Sequence, residues 1–148
     1  MLVLAAAAVV PAGCGDDRDA VLEVMETGRE ALLAGDARTA CGLLSENGRR
    51  RVLQFQVDFA ETGTPVPTEE PGVPQTCEAV LRAERKLGRD SWEPDVEQAR
   101  FRVASIDGDR ASVVLEVPEP YGPRVAFTLV KADDGWRIDD SNAVPSGY

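Results

Sequence analysis

Along the first half of the chain the apolar positions step by three and four; along the second half they alternate. Val21, Val24, Met25, Gly28, Ala31 and Leu32 share one face, so residues 18–34 read as an amphipathic helix that Gly35 stops. Asp36 is placed to cap a second helix carrying Ala37, Ala40, Cys41 and Leu44 on one side. Ser45 is placed to cap a third, over residues 46–60, with Val52, Phe55, Gln56 and Phe59 in line and Gly48 weakening its first turn. Residues 61–75 hold four prolines and two glycines and read as a surface loop. Thr76 then caps a short fourth helix with Cys77, Val80, Leu81 and Glu84 at helical spacing.

After Gly88 the period changes to two. Phe101, Val103 and Ser105 alternate with Arg100, Arg102 and Ala104, and Asp107-Gly108 is a hairpin turn. Ala111, Val113, Leu115 and Val117 form the next strand, residues 118–123 a wider proline-rich connection, and Val125, Phe127 and Leu129 a third strand. Asp134-Gly135 turns the chain into Trp136 and Ile138, both read as core. Helices followed by consecutive antiparallel strands make an α+β domain, here over residues 20–140, with 141–148 as a tail.

The chain of 148 residues suits a single domain. Its net charge of −10 repels phosphate backbones, so nucleic acid is not an expected partner. The basic run Arg49-Arg50-Arg51 reads as a solvated helix face. There is no histidine, which excludes serine–histidine and cysteine–histidine nucleophile systems and removes the commonest metal ligand. Asp133-Asp134, Asp139-Asp140 and the pair Asp107 and Asp109 lack the ligand spacing of a calcium loop. No metal or cofactor is expected.

Leu2 to Val10 are all apolar: the length of a signal-peptide core and too short to span a bilayer. Ala12 and Gly13 precede Cys14, and this resembles the cleavage signal of bacterial lipoproteins. That resemblance implies a signal peptide over residues 1–13, lipid (a diacylglyceryl thioether and fatty acyl, palmitate-type, modification) on Cys14, and a lipidated tether over residues 14–19. Pro11 stands where leucine is usual, and no basic residue precedes the apolar run, so a translation start further upstream is expected. The location that follows is the extracytoplasmic face of a cell membrane. In such an oxidising compartment Cys41 and Cys77 are an even pair left to form a disulfide, two buried free thiols being the alternative.

The run Ala34-Gly35-Asp36 after a long helix, the short helix with Ala40-Cys41 and Leu43-Leu44, and the closing Asp134-Gly135-Trp136-Arg137-Ile138 together resemble the nuclear-transport-factor-two-like superfamily, also called SnoaL-like or cystatin-like. The likeness is to its small actinobacterial lipoproteins, and the predominance of arginine over Lys86 and Lys131 suits a GC-rich genome. The resemblance covers about residues 18–140 and implies a cone, with N-terminal helices packed in a curved antiparallel sheet and a pocket at the open end. The superfamily contains isomerases, hydrolases and dehydratases as well as non-enzymatic members, so the fold does not supply the function.

An isomerase of this kind needs an aspartate base and a tyrosine or protonated acid in an apolar pocket. The chain offers Tyr121, in the proline-rich connection, and Tyr148, at its end, and places no aspartate on a predicted inward strand position. The expectation is therefore a non-enzymatic domain binding a small apolar ligand or an envelope protein. Phe55, Phe59, Trp92 and Tyr121 are the candidate ligand-binding residues. An accessory interaction module without a ligand, or an enzyme of the isomerase or hydrolase type, are the alternatives.

Overall fold

The computed structural model describes residues 14–61, 76–83, 85, 97–116 and 124–144. Three helices come first: α1 (Cys14–Ala34), α2 (Ala37–Gly42) and α3 (Glu46–Glu61). A further helical stretch occupies residues 77–83. The strands β1 (Arg100–Asp107), β2 (Arg110–Glu116), β3 (Arg124–Ala132) and β4 (Gly135–Val144) then form one antiparallel meander in the order β1-β2-β3-β4. The class is the α+β expected. The helix α1 takes in residues 14–19, where a tether was expected, and β4 runs on to Val144 through residues assigned to a tail.

The local chemistry explains where the helices stop and start. Gly35 takes a positive φ of 75°, its N–H bonds to Leu32 O at 3.1 Å and the next N–H, of Asp36, reaches back to Ala31 O at 2.8 Å. This is the Schellman closure, which satisfies carbonyls that the helix end leaves open. Arg85 donates to Leu33 O at 3.0 Å and closes another. Its guanidinium fills the space where a Cβ on Gly35 would stand. Asp36 caps α2, accepting from Thr39 N at 3.0 Å and from its hydroxyl at 2.6 Å, bonds that hold the Asp36 carboxyl below the usual carboxylate range. Ser45 Oγ accepts from Gly48 N at 3.0 Å at the head of α3, and Thr76 Oγ1 from Ala79 N at 3.2 Å.

The core lies between α1 and one face of the sheet. Val21 and Met25, one turn apart on α1, pack with Val103, Ala111, Val113, Leu129 and Trp136. Two bulges set which strand residues reach it. In β1 the register shifts between Val103 and Ser105, so Ala104 has no partner on β2. Ser105 is exposed in consequence, and Ile106, opposite Ala111, packs against the core instead. The strict alternation that put Ser105 inward is thus corrected by one residue, as a bulge requires. Between β3 and β4 the register shifts at Thr128 and Leu129 of β3: Thr128 pairs with Asp140 and Leu129 with Ile138, which leaves Asp139 of β4 without a partner on β3.

Three attachments hold the helices to this frame. Asp17, in the first turns of α1, accepts from Lys131 Nζ at 2.5 Å and from the indole N–H of buried Trp136 at 3.3 Å, while the ammonium lies 5.6 Å from the Trp136 ring centre. The Lys131 hydrogen bond, more than the indole, holds the Asp17 carboxyl below its usual value. Cys41 and Cys77 form a disulfide with their Cα atoms 6.1 Å apart, joining α2 to the helical stretch 77–83, where Val80 is fully buried. Closing a loop of this length stabilises the fold by roughly 3–4 kcal/mol through the unfolded chain. Third, the turn between α2 and α3 docks on β4: Ile138 N donates to Leu43 O and Ser45 N to Ile138 O, each at 2.9 Å, a parallel bridge centred on Leu44.

Gly48 belongs to that docking. It is buried, and a Cβ there would stand 2.5 Å from Ile138 O, a backbone atom held in the sheet. What looks in sequence like a weak helix position is the contact that lets α3 meet β4. Gly48→Ala should destabilise the domain by about 1–3 kcal/mol, the usual range for overpacking. Gly42→Ala, with nothing within 4 Å, should be neutral or stabilising by up to about 1 kcal/mol; urea unfolding of the two variants measures both. The Asp17 contact should show in the pH dependence. A carboxyl lowered on folding stabilises the native state above its unfolded value, near 3.8, and that contribution disappears as pH falls through the folded-state value. The native chain should therefore be more stable than Asp17→Asn at pH 7, and in chemical denaturation the difference should shrink as pH falls below 3.8 and vanish once the folded-state carboxyl is protonated.

Candidate ligand cavity

Where α1 crosses the sheet beyond Met25, the layers do not close. A cavity of about 530 Å³ remains between α1, α2, α3, residue 81 and the inner face of the sheet, within the usual size range of small-molecule sites. The strands contribute Phe101, Leu115, Phe127 and Ile138, and the helices Met25, Leu32, Leu44 and Val52, with Leu81 from the stretch that the disulfide secures. Phe101 and Phe127 meet edge to face, ring centres 6.3 Å apart. Their strand positions follow from alternation, because Phe101 pairs with Leu115 and Phe127 with Val113 across β2.

Polar groups gather at the β4–α3 side. Asp140, Ser141 and Asn142 line the cavity from β4, Arg51 and Gln54 from α3. Arg51 Nη2 lies 3.4 Å from Asp140 Oδ2, and Asp140 Oδ1 accepts from Ser141 N at 2.8 Å. On the α1 side Arg29 pairs with Glu26 and donates to Ala99 O at 3.0 Å. Glu26 Oε2 is sealed from solvent against that guanidinium. Each lining arginine thus already faces a carboxylate. The expectation that no aspartate would stand on the inner side is corrected by Asp140, which lines the cavity one step of the alternation beyond Trp136 and Ile138, where the strand was read as ending. Asp139 itself faces α3, accepting from Ser45 Oγ at 2.6 Å and from Asn47 Nδ2 at 3.3 Å.

The sequence-predicted site residues fall differently. Phe55 and Phe59 lie in α3, but their side chains are outside the described residues, as are Trp92 and Tyr121. Cys14 begins α1 and its side chain is likewise outside them. Cys41 and Cys77 are joined as expected. The basic run is exposed and used locally: Arg49 donates to Cys41 O, Arg50 pairs with Glu46 and Arg51 with Asp140. Asp134 pairs with Arg137, whose hydrogen bond lowers the Asp134 carboxyl. Among the described residues no three metal-ligating side chains come together, and no helix is long and apolar enough to cross a membrane. The residues that sequence reasoning missed as a site (Phe101, Leu115, Phe127 and Ile138) carried an inward signal, but alternation does not distinguish a strand residue that fills a core from one that walls a cavity.

No family model matches the chain, and no curated protein or solved structure is detectably similar to it.

Proposed function

We propose that this protein is a non-enzymatic binding domain, lipid-anchored at Cys14 on the extracytoplasmic face of a membrane, whose cavity takes a small apolar ligand. The observation that carries the binding role is the cavity of about 530 Å³ walled by Phe101, Phe127, Leu115 and Ile138. Apolar walls with a few convergent polar groups are the ordinary make-up of a ligand site. The export reading draws on the apolar run Leu2 to Val10 with small residues before Cys14, and on the Cys41–Cys77 disulfide, a bond that persists in oxidising compartments. Helices ahead of a four-stranded meander, with the cavity between them, favour the nuclear-transport-factor-two-like, cystatin-like superfamily as the finer fold assignment.

Asp140 is the one feature that favours an enzyme. Among the described lining residues, however, no tyrosine, cysteine or second carboxylate faces it to complete a proton-transfer pair. A binding role needs only the walls.

Native mass spectrometry of the protein extracted mildly from its own membrane tests both halves. The proposal expects a chain beginning at Cys14 with the mass of its acyl groups, carrying an additional mass that denaturation removes. An unacylated chain would overturn the anchoring, and an acylated chain without the additional mass would overturn the ligand.

A further inference from the structure

We infer that the ligand is an uncharged amphiphile, an apolar chain or ring body with a hydroxyl-bearing head. This inference rests on the ligand-binding reading above and names the class of ligand. The cavity has two ends of different chemistry. Phe101, Leu115, Phe127, Met25, Leu32 and Leu81 offer nothing but apolar surface to a ligand body. The other end, formed by Asp140, Ser141, Asn142 and Arg51, is polar. A wholly apolar ligand would strip water from these groups without replacing its hydrogen bonds, a loss of affinity. The head must therefore be polar.

Its charge is decided by how the lining arginines are already paired. Arg51 stands opposite Asp140, and Arg29 opposite Glu26. An anionic head would gain Arg51 only by competing with the Asp140 carboxylate, on a molecule of net charge −10. A cationic head would gain Asp140 only against the Arg51 guanidinium. A hydroxyl head meets neither conflict. It can donate to Asp140, whose contact with Arg51, at 3.4 Å, is longer than a strong hydrogen bond. It can also accept from the side-chain amide of Asn142, which lines the cavity beside Asp140 and Ser141. Arg51 and Asn142 are both exposed at this mouth, so the head sits where a ligand would enter and the body lies beneath it.

Isothermal titration of the full chain with three probes of equal chain length, monodecanoylglycerol, decanoate and decylammonium, tests this. The glyceride should bind at least about tenfold more tightly than either ion, the worth of one hydrogen bond to a charged group. Arg51→Ala removes an exposed side chain and leaves Asp140 without its counter-charge. It should raise decylammonium affinity about tenfold and leave the glyceride within a few-fold. Equal or tighter binding of either ion to the native chain, or an Arg51→Ala chain indifferent to the cation, would overturn the inference while leaving the apolar-ligand reading intact. Failure of all three probes to bind would overturn both.

Discussion

The docking of the α2–α3 turn on β4 is the contact on which the rest of the architecture depends. A sheet edge exposes unpaired N–H and C=O groups, and this one is closed at Ile138 by the backbone of Leu43 and Ser45. The two bonds orient α3 as well as covering the edge. They bring Gly48 against Ile138 O, where only a residue without a Cβ fits. The bulge beside them releases Asp139 from the β3 register, and its carboxylate and carbonyl bind Ser45 and Asn47 in the first turn of α3. Arg137, next to Ile138, donates to Gly42 O at the end of α2. Backbone, bulge and arginine thus tie two helices to three consecutive strand residues.

This seam accounts for the cavity. Helix α1 packs directly on the sheet through Val21 and Met25, and that part of the core is closed. The α3 helix is held by its first turn to β4 and so stands beside the sheet rather than on it, leaving the inner face of Phe101, Leu115 and Phe127 open between the two helices. The disulfide supplies the remaining wall by holding the stretch that carries Leu81 against α2. A covalent link suits that position, because the fully buried Val80 and the Arg85 bond to Leu33 O are the other described attachments of this stretch to the helices.

Much of the fold was legible in the order of residues because it is local. Gly35 and Asp36 end one helix and start the next through bonds spanning five residues or fewer. The turns at Gly108 and Gly135 fall where a positive φ is needed, 58° and 125°. The inward positions of Val103, Val113 and Leu129 follow from alternation. Both bulges escaped the reading, since a bulge is a property of two paired strands and neither Ala104 nor Asp139 marks it alone. The candidate site was less legible because its walls come from elements far apart in the chain. Asp140 lies one step of the alternation beyond Ile138, where the last strand was not expected to reach, and Gly48 reads as a helix defect until the strand it touches is known.

The claim that the seam between Leu43, Ser45 and Ile138 organises the domain can be measured directly by native-state hydrogen exchange. The amides of Ser45 and Ile138 should exchange only through global unfolding, with the same opening free energy as the Val113 and Leu129 amides at the centre of the sheet. Exchange of Ser45 and Ile138 through a low-energy local opening, while Val113 and Leu129 stay protected, would mean that α3 is an appendage and would contradict this account.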